Sequence, residues 1–167
     1  MPAILPVSLP LAAALLLVLL PTSTYAACPS LSLSISAPSV VRTTEGFRAK
    51  IKVTNDGSTR ATGLRLRLTL PVEMTLLKSK PAPSSTLNPW SLAFDNLTLG
   101  PGKSIHVRVQ GLIGECFQGS LAIEAAVVVP AENECNPVTA SRTVRAMEGR
   151  GDGRTGGERW HSCLLFV

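Results

Sequence analysis

Aromatic side chains occupy only 4% of this 167-residue chain, and charged ones only 16%. The first scarcity removes the usual bulk from a protein interior, so a core must be assembled from Leu, Val, Ile and Ala, within an apolar share of 45%. Small and branched apolar side chains suit pleated sheets packed face to face better than a helical bundle. Thirteen Gly and thirteen Pro point the same way, toward short strands and tight turns. Few aromatics also leave little for base stacking, so nucleic acid is not an expected partner.

Catalytic groups are equally sparse. The chain has two histidines, His106 and His161, and no GxSxG, HExxH or pair of carboxylates at acid–base spacing. Asp56 and Asp95 stand in turn contexts that account for them without chemistry. Nucleophile, base and orienting group cannot all be filled from this inventory, so neither an enzyme nor a cofactor is expected. No CxxC or spaced His pair accompanies the cysteines, which makes zinc ligation the weaker reading of them.

Charge is missing altogether from Met1 to Ala26, where Leu11 to Leu20 form an apolar run bounded by Pro10 and Pro21. Such a run is too short to span a bilayer and suits the centre of a signal peptide. Cleavage after Ala26 would place Thr24 and Ala26 at the small-residue positions, so residues 1–26 read as a signal-peptide helix and Ala27 as the mature start. The absence of Lys and Arg before the run departs from the usual pattern. A core helix that stays in place is a poorer reading, because the run has no polar face. A rival reading takes Ala27-Cys28 as the end of a lipobox, which would make Cys28 the anchor of a lipoprotein, although Tyr25 stands where that motif carries Leu. Membrane contact is expected only through the signal peptide or such an anchor.

Export would carry Cys28, Cys116, Cys135 and Cys163 into an oxidising compartment, so they are disulfide candidates. Cys116 with Cys135, which flank one strand and its loop, is the first choice of pairing. Cys28 with Cys163 would then tie the ends together.

What the sequence has in abundance is alternation. Leu31, Leu33 and Ile35 interleave with serines; Phe47, Ala49, Ile51 and Val53 with Arg48, Lys50 and Lys52; and Leu64, Leu66, Leu68 and Leu70 with Arg65, Arg67 and Thr69. Period two means strands with one buried face. The rhythm recurs at Trp90, Leu92 and Phe94, with the Trp as the largest side chain available to the core, then at Ile105, Val107 and Val109, and from Leu121 to Val129. Met74 to Leu77 reads as a short edge strand, Pro81 to Ser85 as a loop, and Val138 to Val144 as a last strand. Asn55-Asp56-Gly57-Ser58 and Gly100-Pro101-Gly102 supply turns. Seven to eight strands at this spacing predict an all-β, antiparallel immunoglobulin-like sandwich over residues 27–147. Residues 148–167, rich in Gly and charge of both signs, read as a disordered tail.

Three turn motifs in order, Val53 to Gly57, Leu70-Pro71 and Leu99 to Gly102, resemble those of the conserved-repeat family called domain of unknown function eleven. The resemblance spans about Leu33 to Val144 and implies an immunoglobulin-like module of cell-surface and secreted proteins. It implies no catalytic residue. The chain differs from that family in its single copy, in Gly100 before Pro101, and in its cysteines.

Formal charge sums to zero in residues 1–26 and in the tail, so the net +5 belongs to the sandwich. Arg65 and Arg67 on one strand, with His106 and Arg108 on another, are the candidate basic binding face, suited to an acidic polysaccharide or a cell-surface protein. The plainer alternative is a solvated face whose charges protect strand edges. Asn96-Leu97-Thr98 is a glycosylation sequon, making Asn96 a candidate modification site in a eukaryotic secretory pathway. Arg150-Gly151-Asp152 spells an integrin tripeptide, for which chance in a Gly- and Arg-rich tail is the better account. The sequence therefore points to a secreted or surface-attached, non-catalytic binding or spacer module. A structural component of a cell wall or extracellular matrix is the alternative.

Overall fold

The computed structural model describes residues 28–43, 45–114, 117–129 and 135–148. The signal-peptide segment, the proposed cleavage site, Cys116, Cys163, the integrin tripeptide and nearly all of the tail lie outside these residues.

Alternation becomes structure almost everywhere it occurs. Among the described residues ten strands form: β1 (Leu31–Ser36), β2 (Val40–Arg42), β3 (Phe47–Asn55), β4 (Ala61–Thr69), β5 (Met74–Lys80), β6 (Ser85–Asn88), β7 (Ser91–Leu99), β8 (Ser104–Ile113), β9 (Gly119–Val128) and β10 (Val138–Met147). They assemble into two sheets, one ordered β1-β3-β8-β5 and the other β2-β10-β9-β4-β7-β6. The result is an immunoglobulin-like β-sandwich. Pairing is antiparallel except where β2 joins β10 in parallel. The count exceeds the expected seven or eight because β2 and β6 are short edge strands without an apolar alternation to announce them.

The two inner faces meet in one core of aliphatic residues. Leu64, Leu66, Leu68 and Leu92 from one sheet lie against Ile51, Val53 and Val107 from the other, all fully buried. Leu66 and Ile123, at 0% and 1% exposure, sit at its centre. Each such side chain contributes roughly 1.5–3 kcal/mol through burial, which is how a core nearly free of aromatics can hold the sheets together.

Trp90 does not join that core. It lies in the turn between β6 and β7, 36% exposed, with its indole N–H donating to the Val72 carbonyl at 3.0 Å. Phe94 takes the interior position instead. The indole N–H needs a polar partner, and the turn supplies one at the surface, where the aliphatic interior has none to offer.

Two turns lock one end of the sandwich. Asn55 is fully buried, and its side-chain amide donates to the carbonyls of Thr59 at 2.7 Å and Leu99 at 3.0 Å, while its Oδ1 accepts from the Gly57 amide at 3.0 Å. The Asn55 carbonyl accepts from the Gly102 amide at 2.8 Å. Gly102 has φ +65° after Pro101, and the Lys103 amide bonds back to the Gly100 carbonyl at 3.1 Å. These are the features of a type II turn, with Pro second and Gly third. Two of the three motifs that carry the family resemblance thus interlock in space.

The disulfide differs from expectation. Cys28 bonds Cys135, with the Cα atoms 5.7 Å apart, so neither the Cys116–Cys135 nor the Cys28–Cys163 pairing holds. Cys28 precedes β1 and Cys135 precedes β10, strands of opposite sheets that pack together at one seam, and this proximity decides the pairing.

Candidate functional site

The four residues expected to share a basic face are divided between the sheets. Arg65 and Arg67 point outward from β4 in the six-stranded sheet, whereas His106 and Arg108 point outward from β8 in the four-stranded one, on the opposite side of the molecule. Arg65 is also engaged, its Nε donating to the Asp95 carboxylate. Asn96 is exposed on β7, in the same sheet as Arg65.

The division reveals a denser arrangement than the one expected. On the outer face of the four-stranded sheet, β3 presents Arg48, Lys50 and Lys52, β8 presents His106 and Arg108, and β5 presents Lys78 and Lys80. Strand register aligns these residues in rows. Lys50, Arg108 and Lys80 stand side by side across three strands, followed by Arg48, Gln110 and Lys78. Lys52 stands beside His106. A bulge between Leu76 and Lys78 lets β5 keep Lys78 and Lys80 in line with this pattern. No Asp or Glu occupies an outward position on any of the four strands.

Six permanent cations therefore crowd one face of a chain whose whole net charge is +5, and the remainder of the molecule is close to neutral. Directly opposed side chains on neighbouring strands lie about 5 Å apart at Cβ, where like charges oppose pairing by some tenths of a kcal/mol. His106 registers this field. Its pKa lies below the ordinary 6.5, first through partial loss of water at the sheet surface and then through repulsion from Lys50, Lys52 and Arg108.

The face is concave. Ser36, Ala37 and Pro38, where β1 ends, wall an open trough of about 710 Å³ whose floor and far side hold Arg48, Lys50, Lys78, Lys80, Arg108 and Gln110. Ser34 and Ser36 lie opposite Lys52 and Lys50, so hydroxyls border the cations along one margin. Such a surface can hold an extended anion through several ammonium and guanidinium groups at once, with hydroxyl and amide partners beside them.

Alternation marks the lysines of β3 as outward-facing, but nothing local joins them to His106 and Arg108. The apolar pattern at Met74 to Leu77 ends before Lys78 and Lys80, whereas β5 runs on through both. The available signal was the run of alternate basic residues in β3 and β5 without an intervening acid.

Among solved structures, the chain is similar to a cohesin module from a Clostridium perfringens family 33 glycoside hydrolase, at 14% identity and TM-score 0.51, covering 73% of this chain and 100% of that one. It is also similar to the CARDB domain of a Pyrococcus furiosus protein, solved in complex with di-metal ions, at 18% identity and TM-score 0.47, covering 71% and 89%. The cohesin likeness supports the sandwich fold. No protein-family model matches the chain, and no curated protein matches it.

Proposed function

We propose that this protein is a secreted or surface-attached, non-catalytic module that binds an acidic polysaccharide along the basic trough of its four-stranded sheet. The observation that carries the reading is the uncompensated charge: six aligned cations with no acid among the outward positions of their sheet. Fold stability alone gains nothing from such rows, because like charges across strands repel. A polyanion removes the repulsion as it binds. The serine margin and the concavity favour a hydroxylated linear chain over a flat lipid surface. The Cys28–Cys135 bond supports an oxidising compartment. It also occupies the Cys28 thiol that a lipid anchor would require, and leaves neither cysteine to cross-link a matrix. The interlocked Asn55 and Gly102 turns support membership of the conserved-repeat family resembled by the sequence.

The test is titration calorimetry with polygalacturonate, with neutral dextran and anionic phospholipid vesicles as comparisons. Polygalacturonate should bind at low ionic strength and weaken steeply as salt rises. Lys50→Gln with Arg108→Gln should lower affinity at least about tenfold, the equivalent of 1.4 kcal/mol. Arg65→Gln with Arg67→Gln, on the other sheet, should change it less than about twofold. Equal loss from both pairs, or preference for the vesicles, would refute the assignment.

A further inference from the structure

The six-stranded sheet carries a feature that neither packing nor the trough explains. Between the register pairs Leu64↔Leu97 and Leu66↔Phe94, β7 inserts an extra residue, so Asp95 and Asn96 together face Arg65. Asn96 takes φ 55°, a left-handed conformation that Asn tolerates better than most residues with a side chain. One step further, Ala61↔Leu99 and Leu64↔Leu97 leave Thr62 and Gly63 facing Thr98, with Gly63 at φ 66°. Two bulges on opposite strands thus flank the Asn96-Leu97-Thr98 segment. Each lifts the chain out of a regular pleat.

The segment is also open. Asn96 and Thr98 are both exposed, and Leu97 is half-buried between them. β6 pairs with β7 only as far as Ala93, and Ser84 Oγ then accepts from the Asp95 amide at 2.9 Å. Beyond that point, no described strand covers this edge of β7. An enzyme can therefore approach the Asn96 carboxamide and the Thr98 hydroxyl together, without first unfolding a ladder.

We propose that Asn96 is an N-glycosylation site, modified with an oligosaccharide from a lipid-pyrophosphate donor. The Asn96 Nδ2 forms a bond to the anomeric carbon of the first sugar. The bond from that carbon to the pyrophosphate oxygen breaks, the lipid pyrophosphate leaves with the electron pair, and Nδ2 gives up one proton. Thr98 supplies the hydroxyl that such acceptor segments carry two residues on. The glycan projects from the six-stranded sheet, on the side of the molecule away from the trough, and leaves the basic face open. The proposal rests on the export reading, because transfer of this kind takes place within the secretory pathway.

The full chain, with its own N-terminal segment, is expressed in eukaryotic secretory cells, and intact mass is measured before and after peptide N-glycanase treatment. A mass loss on treatment, leaving Asp at position 96, is expected. The loss should vanish in Asn96→Gly, which keeps the left-handed geometry, and in Thr98→Ala, which keeps the acceptor amide. Polygalacturonate affinity should differ less than about twofold between treated and untreated protein, against the tenfold loss set for the trough variants. Secreted protein of unmodified mass overturns the proposal alone. Protein retained inside the cell with residues 1–26 intact overturns it together with the export reading. A mass loss that survives Thr98→Ala excludes this sequon as the site.

Discussion

A buried carboxamide is stable only when its donors and acceptor are all matched, and Asn55 meets that condition across two turns. Asn55→Ala would strip a partner from the carbonyls of Thr59 and Leu99, while the Gly57 amide keeps the Ser30 carbonyl at 3.2 Å, with at least about 2 kcal/mol lost on the usual cost of such groups. Asn55→Asp should do comparable damage, since a carboxylate offers no donor to either carbonyl. Arg65→Ala is the contrast, because its ion pair with Asp95 is 52% exposed on the arginine side and worth at most about 1 kcal/mol. Urea denaturation followed by circular dichroism measures all three. An Asn55→Ala variant as stable as Arg65→Ala would show that the interlock contributes little. The residue's role was half legible: Asn-Asp-Gly announces a turn, but nothing local announces a bond to Leu99, 44 positions away. Trp90 shows the opposite failure. Its place in an alternating series pointed inward, while its polar N–H and the β6–β7 turn put it at the surface.

Strands were the most legible elements, because period-two burial is imposed by the pleat itself. β3, β4 and β9 bury the side chains their alternation marks, and β8 buries Val107 and Val109 with Ile105 half-buried at its start. β2 and β6 stayed hidden, as three- and four-residue edges whose pattern is set by their neighbours. Alternation also leaves open which strands share a side. Long-range pairing of β3 with β8, and of β4 with β9, divides the expected basic face and creates the trough. His106 reports on that assembly. Its pKa is lowered in the folded protein, so the unfolded chain takes up the proton first as pH falls. Folding stability should therefore be unaffected by this group well above pH 6.5, and should decline as pH drops below 6.5 through the folded pKa. His106→Gln should remove that part of the decline. Proton NMR of the assigned imidazole should give a midpoint below 6.5 in the free protein, moving upward when polygalacturonate neutralises Lys50, Lys52 and Arg108. A midpoint at or above 6.5 without ligand would contradict the field described for this face.

At the scale of the molecule, the sandwich has two unlike exteriors. One is cationic and concave; the other balances Arg65 with Asp95 and offers Asn96 to solvent. The proposed binding through the first depends on β1 staying in place, since the trough wall at Ser36 to Pro38 is the far end of β1, whose outer edge no described strand covers. β1 is held by β3 on one side and by packing against β10, and the Cys28–Cys135 bond joins the approaches to β1 and β10 across a sequence separation of 107. Closing so long a loop restricts the unfolded chain strongly, and removal of a native disulfide from a small domain costs about 2–5 kcal/mol. Cys28→Ser with Cys135→Ser should lose that much in urea denaturation, and in dithiothreitol the parent protein and the variant should unfold at the same urea concentration. Because the clasp lies outside the trough, the folded variant should still bind polygalacturonate below its unfolding transition. A stability change under about 0.5 kcal/mol, the range of an ordinary surface substitution, would mean that the seam between β1 and β10 closes without the bond.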